Sequence, residues 1–453
     1  MGQINKILPT HIIFGLGKSG LSCARYFDRI SQPYYLVDSR NLPPVQAQVD
    51  KLSFCQGIAF GTIDDSLLEN CEQLVVSPGV ALTTNFVVKA IKAGVDVCGD
   101  VELFARICNK PIVAITGSNG KSTVTDLADQ LINAANINCQ KGGNIGLPVL
   151  DFLPEMSADI YVLELSSFQL DTTESLKAEV AVCLNVSEDH MDRYPAFNDY
   201  VKSKQKIFNG AHFSIFNRDD SLTYPSSISS ESVWSFSLLE PENNDERISY
   251  LKKENKENLL VVNHQSILLA KKLNVTGKHN WTNVLACLTI LKCLDIKITE
   301  QVLNQLIAYK GLKHRFQLIS RKNNCEWIND SKATNVGATV AALNSLDLSV
   351  NQKVTLIAGG DSKQSDLTPL IKPFNNIVDH LILMGVDAKK IAQLPIQARP
   401  YFVDDMNQAV SKANELIEQG DIVLLSPACA SLDMYSSFEA RGDAFIEAVR
   451  ECA

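Results

Sequence analysis

The chain has 453 residues, of which 45% are hydrophobic, and this length suggests about three domains rather than one core. A net charge of −9 argues against general nucleic-acid binding. No apolar run reaches the roughly 18 residues of a membrane span, and the first ten residues lack the pattern of a secretory signal. The twelve cysteines include no Cys-x-x-Cys pair, so we expect reduced thiols in a cytoplasmic protein rather than disulfides or a zinc site.

The first predicted unit begins with a strand that runs into a glycine-rich turn. Ile12-Ile13-Phe14 precedes Gly15-Leu16-Gly17-Lys18-Ser19-Gly20, and the next strand ends at Asp38. This spacing is typical of a dinucleotide-binding fold. The alternative is a Rossmann-like unit whose glycines serve only the turn and the packing. A second strand-to-turn motif, Val76-Ser77-Pro78-Gly79, can face the same crevice, and we place the end of this unit at residue 98.

The motif with the most specific chemistry follows an apolar run, Val113-Ala114-Ile115. In the loop after it, Gly117 and Gly120 allow backbone N–H groups to converge on phosphate oxygens at a helix N-terminus. Lys121 would then reach the β- and γ-phosphates of a nucleotide, and the Ser122 hydroxyl would reach Mg²⁺. Because the general pattern has a further glycine where Ile115 stands, this is a shortened phosphate loop. The alternative is an ordinary strand-to-helix turn.

Acidic side chains follow the next two predicted strands. Glu164 ends an apolar strand, where a carboxylate is costly unless it is paired or bound to metal. A cluster that includes Glu188, Asp189, His190 and Asp192 follows the strand after that. Since ligands of parallel sheets lie beyond the carboxyl ends of the strands, we expect the phosphate loop, Glu164 and His190 to converge.

One lysine lies in the middle of an apolar stripe. Lys204 points about 200° away from its neighbour Lys202 on a helix, and Tyr200, Val201, Ile207 and Phe208 stand three or four residues from it. If it is desolvated, its pKa falls and its neutral amine can react. The alternative, which the sequence leaves open, is that the stem packs on the stripe while the ammonium reaches water.

The remaining sequence contributes loops and a second α/β unit. We expect loops and short strands without evident chemistry over 221–263. Asn280 and Asn283 lie one helical turn apart and either face a ligand or cap the helix. Beyond residue 310, strands and helices alternate, which predicts a third, doubly wound α/β unit with polar residues at its strand ends.

Ordered motifs cover the chain from end to end. They are Thr-Gly-Ser-Asn-Gly-Lys-Ser-Thr at 116–123, Gly-Gly-Asn-Ile-Gly at 142–146, Leu-Glu-Leu-Ser-Ser-Phe-Gln at 163–169, Asn-Val-Ser-Glu-Asp-His-Met-Asp-Arg at 185–193, His-Arg-Phe at 314–316, Asn-Asp-Ser-Lys-Ala-Thr-Asn at 329–335 and Ser-Pro-Ala-Cys-Ala-Ser-Leu-Asp at 426–433. In this order they resemble the Mur ligases, most closely the members that add D-glutamate.

The resemblance implies three α/β units: a Rossmann-like unit over 1–98 that binds a UDP-substrate rather than NAD, a central P-loop ATPase-like unit with a mostly parallel sheet over 99–310, and a Rossmann-like, doubly wound unit over 311–453 that binds the amino acid. It implies an ATP-dependent amide ligase of peptidoglycan precursor synthesis that adds D-glutamate to UDP-N-acetylmuramoyl-L-alanine through an acyl phosphate. Its partners would be small-molecule substrates, without nucleic acid or membrane, and we expect a monomer.

The resemblance also assigns residues to four sites. ATP would be bound by Gly117, Ser118, Asn119, Gly120, Lys121, Ser122, Thr123, Asn280, Asn283, Arg315, Asp330 and Lys332. The UDP-substrate would be bound by Lys18, Ser19, Asp38, Ser39, Arg40, Gly79, Asn144, Ser166 and His190. D-Glutamate would meet Thr334, Lys363, Ser431, Leu432 and Phe438. Two Mg²⁺ ions would lie near Ser122, Glu164, His190 and Lys204, and catalysis would depend on Lys121, Glu164, His190 and Lys204.

In the family, the lysine that matches Lys204 carries a carbamate formed with CO₂, which agrees with the apolar-stripe argument because carbamate formation needs a neutral amine. Ser118 and Ser39 stand where threonines are expected, and Lys18 stands where an apolar residue is common. The open alternatives are a sibling Mur ligase or a folylpolyglutamate synthase with another amino-acid acceptor, an NAD-dependent oxidoreductase, and a non-catalytic nucleotide-binding regulator.

Overall fold

The computed structural model describes residues 9–43, 46–153, 157–191, 193–225, 232–242, 247–275, 277–322, 324–346 and 348–452. Within them the chain forms three sheets, mostly parallel, with helices packed against them, and this confirms the predicted α/β class. Each sheet lies inside one of the three predicted segments; the boundaries at 98 and 310 remain predictions. No helix of the described ranges is long and apolar enough to cross a membrane.

The first sheet has five parallel strands in the order β3-β2-β1-β4-β5. Apolar runs such as Ile12-Ile13-Phe14 are buried because helices cover a parallel sheet on both faces. The strands are β1 (His11–Phe14), β2 (Tyr34–Asp38), β3 (Cys55–Phe60), β4 (Gln73–Val76) and β5 (Asp96–Cys98). The helices are α1 (Lys18–Arg29), α2 (Asn85–Lys92) and α3 (Asp100–Ile107).

The central sheet has nine strands in the order β14-β13-β12-β11-β10-β9-β6-β8-β7, and only the pairs β12–β13 and β13–β14 are antiparallel. Its strands are β6 (Ile112–Thr116), β7 (Cys139–Gly143), β8 (Ile160–Glu164), β9 (Val180–Cys183), β10 (Phe213–Asn217), β11 (Val233–Ser237), β12 (Ile248–Glu254), β13 (Glu257–Val262) and β14 (Gln265–Leu269). Its helices are α4 (Lys121–Ala134), α5 (Ser167–Asp171), α6 (Phe197–Gln205), α7 (Lys278–Cys293) and α8 (Glu300–Ala308).

The third sheet has six strands in the order β15-β16-β20-β17-β18-β19, of which only β15 is antiparallel to its neighbour. Its strands are β15 (Gln317–Lys322), β16 (Cys325–Asn329), β17 (Val354–Gly359), β18 (His380–Met384), β19 (Pro400–Phe402) and β20 (Ile422–Leu425). Its helices are α9 (Val336–Asn344), α10 (Ile371–Ile377), α11 (Ala388–Ala392), α12 (Met406–Leu416) and α13 (Phe438–Cys452).

Two local features differ in detail from the sequence expectation. The helix that carries Lys204 ends at Gln205, and the chain tightens into a 3₁₀ turn over Lys206–Phe208, which still buries Ile207 and Phe208. The segment 221–263 contributes the whole of β11, β12 and β13 to the central sheet, while its stretches 226–231 and 243–246 lie outside the described residues.

Candidate active site

The loop between β6 and α4 has the geometry expected of a phosphate-binding turn. Gly120 caps α4 in the left-handed conformation, with a φ of 83°, and Gly117 has a φ of 155°. A Cβ on Gly120 would lie 2.6 Å from Oδ1 of Asn283, so the glycine lets α7 approach the loop closely. Asn283 therefore contacts the predicted phosphate loop, while Asn280 is buried one turn earlier on the same helix.

Two lysines meet at the carbonyl oxygen of Gly117. Lys121 Nζ donates to it at 2.6 Å and Lys204 Nζ at 2.9 Å, and Lys121 also donates to Ser118 O at 3.0 Å. Burial lowers the pKa of both ammonium groups, and for Lys204, with Lys121 as the second cause, the pKa falls to about 7. Lys204 is 1% exposed, so the alternative in which its ammonium reaches water is wrong.

An aromatic ring completes the surroundings of Lys204. Its ammonium lies 4.6 Å from the centroid of the Tyr200 ring, and the Tyr200 hydroxyl is 3.1 Å from Ser118 Oγ. Ser118 in turn donates to Ser187 O at 2.9 Å. The sequence predicts Tyr200 only as a member of an apolar stripe. Its polar contact with Ser118 could not be predicted in this way, because Ser118 is 82 positions away in the chain.

The central sheet places the carboxyl group of Glu164 beside the loop. It ends β8 opposite Ile115 of β6, and its Oε1 accepts a hydrogen bond of 2.7 Å from Asn144 Nδ2. Its Oε2 is buried and has no hydrogen-bond partner among the described residues. An uncompensated carboxylate oxygen is costly, so this atom fits a hard divalent cation, although the described residues contain no group of three or more His, Cys, Asp or Glu arranged for a metal.

His190 lies on a strained and exposed part of the next loop. Its φ is 57°, its ring centroid is 4.9 Å from that of Phe168, and its Nε2 is 3.7 Å from Asp189 Oδ2. Ser166, a further predicted substrate contact, is the N-cap of α5 and forms a capping box with Gln169. Asp192 of the predicted acidic cluster lies outside the described residues.

The third unit reaches the phosphate loop through Arg315, whose Nη2 donates to Ser122 Oγ at 2.9 Å. Burial lowers the pKa of this guanidinium and also that of the Lys332 ammonium, which lies 4.0 Å over the Phe438 ring. Asp330 points into its own unit, where it accepts from Phe316 N at 3.1 Å and Ser426 Oγ at 2.9 Å, and burial raises its pKa to about 7.

The predicted D-glutamate residues follow three adjacent strands, β16, β20 and β17. Asp361 and Ala430 exchange backbone hydrogen bonds of 3.0 and 2.8 Å, and these join the segments that carry Lys363 and Ser431. Lys363 is exposed with a φ of 49°, and Leu432 is 68% exposed. Thr334 follows β16, and its backbone N donates to Lys332 O at 2.7 Å.

Sequence reasoning missed an arginine beneath these loops. Arg441 is 2% exposed and donates to Ser331 O at 2.9 Å and to Cys429 O at 3.1 Å. Burial lowers its pKa to about 10. It ties the loop after β16 to the loop after β20. No local signal marks it, because an arginine in an amphipathic helix is normally a surface residue.

In the first unit, the predicted UDP contacts gather at the carboxyl ends of β1, β2 and β4, where the strand order reverses. Asp38 is 2% exposed, and it accepts from Leu16 N at 2.6 Å and from Arg40 at 2.7 and 2.9 Å. The acid therefore holds the glycine-rich loop in place, whereas the dinucleotide pattern gives it a ribose contact. Lys18 and Ser19 begin α1, and Ser39 and Gly79 are exposed at the strand ends.

Three family models match the chain in succession. They are the Mur ligase MurD-like N-terminal domain over 9–99, the Mur ligase middle domain over 115–291 and the Mur ligase glutamate ligase domain over 314–429. The chain is 43% identical over 443 residues to the UDP-N-acetylmuramoylalanine–D-glutamate ligase of Pseudomonas aeruginosa, which covers 98% of both chains. It is 43% identical over 447 residues to the protein of the same name from Shewanella oneidensis, again over 98% of both.

Solved structures agree with the fold. The pseudomurein peptide ligase type C of Methanothermus fervidus superposes with a TM-score of 0.61 at 18% identity, over 98% of this chain and 100% of that one. The UDP-N-acetylmuramate-alanine ligase of Thermotoga maritima gives 0.58 at 17% identity over the same shares. With family models over all three sheets and relatives matched along nearly the whole length, the chain belongs to the Mur ligase family.

Proposed function

We propose that the chain is an ATP-dependent ligase that joins D-glutamate to UDP-N-acetylmuramoyl-L-alanine, in the synthesis of peptidoglycan precursors. Its relatives at 42–43% identity carry the name of this activity. The L-alanyl carboxylate takes the γ-phosphate of ATP to give an acyl phosphate and ADP. The D-glutamate amine then attacks the acyl carbon, the amide bond forms and inorganic phosphate leaves.

The observation that carries this proposal is the convergence at the phosphate loop. Lys121 and Lys204 reach one carbonyl oxygen, Glu164 ends the neighbouring strand, and Arg315 arrives from the third unit. Two anions, a triphosphate and a carboxylate, must approach each other in the first step. A cluster of cations beside a carboxylate that suits Mg²⁺ offsets that repulsion.

When bound, ATP supplies the phosphoryl group and Mg²⁺ neutralises charge on the phosphates. Lys121 would exchange its bonds to Gly117 and Ser118 for bonds to phosphate oxygens. Arg315, which donates to Ser122 Oγ, would place a further positive charge beside the same phosphates. Glu164, whose Oε1 accepts a hydrogen bond from Asn144, would hold one Mg²⁺ ion through its Oε2. We assign Ser122, His190 and a carbamate on Lys204 as the further ligands of two Mg²⁺ ions.

The carbamate forms when the neutral amine of Lys204 attacks CO₂. A bond from nitrogen to carbon forms as one C=O π bond of CO₂ opens onto its oxygen, one proton leaves the nitrogen for water, and the neutral amine becomes an anionic carbamate. Burial supplies the neutral amine at pH 7. The product would also lie next to the Lys121 ammonium, which stabilises a negative charge there.

We assign the UDP moiety to the crevice above β1 and β4 of the first unit, and D-glutamate to the loops after β16, β17 and β20. Asn144, Ser166 and His190 would contact the part of the UDP-substrate that enters the central unit. These assignments, the segment boundaries at 98 and 310, the monomeric state and the cytoplasmic location are predictions from the sequence.

An ADP-release assay tests the function. The wild-type chain receives ATP, Mg²⁺ and UDP-N-acetylmuramoyl-L-alanine, with D-glutamate, L-glutamate, L-alanine, L-lysine or meso-diaminopimelate as acceptor. We expect turnover with D-glutamate at least tenfold above that with any other acceptor, and none with Lys121→Ala. Preference for another amino acid would make the chain a sibling ligase, and turnover with a folate in place of the UDP-substrate would make it a folylpolyglutamate synthase.

A further inference from the structure

One side chain of the central unit is hydrogen-bonded to a turn of the first unit. The guanidinium of Arg193 donates to three successive carbonyl oxygens, those of Pro78, Gly79 and Val80, at 3.5, 3.2 and 3.1 Å. The three carbonyl groups belong to the first unit, more than a hundred positions before Arg193 in the chain. The arginine therefore acts across the boundary between the two units.

The turn that Arg193 holds is packed against the glycine-rich loop after β1. Ser77 Oγ donates to Gly15 O at 2.6 Å, and Val80 N donates to Ser77 O at 2.9 Å. A Cβ on Gly15 would lie 2.7 Å from Val80 Cγ2, so loop and turn are in direct contact. This loop and this turn follow β1 and β4, at the crevice to which we assign the UDP moiety.

Arg193 also contacts the loop of residues 187–191, here called the His190 loop. Its backbone N donates to His190 O at 2.9 Å, and its guanidinium lies 4.4 Å over the ring of Phe168. The same ring contacts the His190 imidazole at 4.9 Å and stacks on Tyr194 at 5.9 Å. Arg193 and His190, whose φ is positive, therefore pack on the same Phe168 ring.

We propose that Arg193 is a positioning residue that couples occupation of the UDP crevice in the first unit to the placement of His190 in the central unit. The inference rests on the proposed function, which assigns the UDP moiety to that crevice. Binding there orders the 77–80 turn, the turn fixes the guanidinium, and the guanidinium fixes the His190 loop. The UDP end of the substrate thereby prepares the site at which its other end reacts.

Hydrogen–deuterium exchange of the full chain tests the coupling, with UDP alone as the probe. In the wild-type protein, saturating UDP should slow exchange both in the first unit and in the His190 loop. In Arg193→Ala the protection of the first unit should remain while that of the His190 loop is lost, and Arg193→Lys should restore part of it. Arg25→Ala is the matched control, because Arg25 also crosses the boundary, to Asp151, but away from the loop.

Kinetics give a second readout that general destabilisation would not produce. Loss of the charged hydrogen bonds should raise KM for the UDP-substrate about 10- to 100-fold in Arg193→Ala, with KM for ATP within about twofold of the wild-type value. Arg25→Ala should leave both constants unchanged. A lowered melting temperature with equal changes in both KM values would mean that Arg193 has a structural role only, and would overturn the proposal.

The outcomes separate the two proposals. If calorimetry finds no binding of UDP to the wild-type chain, the substrate assignment fails and the coupling fails with it. If UDP binds and protects the His190 loop equally in the wild type and in Arg193→Ala, the proposed function stands and the coupling is wrong. Binding of UDP without any protection of the His190 loop in the wild type would refute the coupling as well.

Discussion

Replacement of Lys204 gives the sharpest test of the chemistry at the phosphate loop. Lys204 is 1% exposed, its ammonium lies 2.9 Å from Gly117 O and next to a second cation, and its pKa is about 7 instead of 10.5. At pH 7 roughly half of the amines are then neutral, against roughly 1 in 3,000 at the ordinary pKa. The burial therefore increases the reactive form by about three orders of magnitude.

We expect Lys204→Ala to lower kcat on the order of 10²- to 10³-fold, the range found when a preorganised electrostatic group is removed. Formate or acetate should restore part of the activity by occupying the space of the carbamate, whereas chloride at equal ionic strength should not. Lys202→Ala, an exposed lysine two residues away, is the control and should retain full activity.

The pH dependence of the same group follows from the direction of its shift. The neutral amine accumulates as pH rises through the folded pKa, so reactivation of CO₂-depleted enzyme at a fixed concentration of dissolved CO₂ should accelerate with a midpoint near pH 7 rather than near 10.5. A midpoint above pH 9, or kcat within threefold of the wild-type value in Lys204→Ala, would refute the reasoning.

Three further changes test the neighbouring geometry. Lys121→Ala should abolish turnover while calorimetry shows unchanged binding of the UDP-substrate; near-normal kinetics would remove Lys121 from the site. Arg315→Ala loses its 2.9 Å bond to Ser122 and should raise KM for ATP about tenfold or more, without affecting KM for the UDP-substrate. Gly442→Ala would bring a Cβ within 2.2 Å of His314 Nδ1, and the clash of about 1–3 kcal/mol should exceed the gain of about 1 kcal/mol in helix propensity. Urea unfolding would show a net loss of stability, and a net gain would contradict the packing argument.

Local patterns in the sequence predicted the features that depend on a few neighbouring residues. The phosphate loop follows from its glycines and from the strand and helix around it. The position of Lys204 in an apolar stripe follows from helical periodicity and is kept despite the 3₁₀ turn at Lys206, since Ile207 and Phe208 are still buried there. The periodicity left open whether the ammonium reaches water, and the structure shows that it is buried. Glu164 was expected at the end of a buried strand, and the structure adds that one of its oxygens has no hydrogen-bond partner in the part of the chain that it describes.

Features that depend on distant parts of the chain could not be predicted in this way. Asp38 matches the spacing of a ribose-binding acid, yet its oxygens are bound to Leu16 N and Arg40 because the loop after β1 folds back onto β2. The hydrogen bonds from Arg193 to the 77–80 turn form only because two units are in contact. Arg441 is likewise buried only because its helix packs beneath the loops after β16 and β20. Charged residues in a loop or an amphipathic helix carry no local sign of such contacts.

The charge distribution explains how an acidic protein can concentrate anionic substrates. The chain carries a net charge of −9, yet Lys121, Lys204, Arg315 and Lys332 all lie around the phosphate loop, and burial lowers the pKa of each. Cations held in a low-dielectric site repel one another and destabilise the folded chain until an anion enters. Phosphate binding would therefore relieve this repulsion, and the conversion of Lys204 to a carbamate would replace a partly protonated amine with a negative charge at the place to which we assign Mg²⁺. This is why we expect carbamate formation and nucleotide binding to stabilise the fold together.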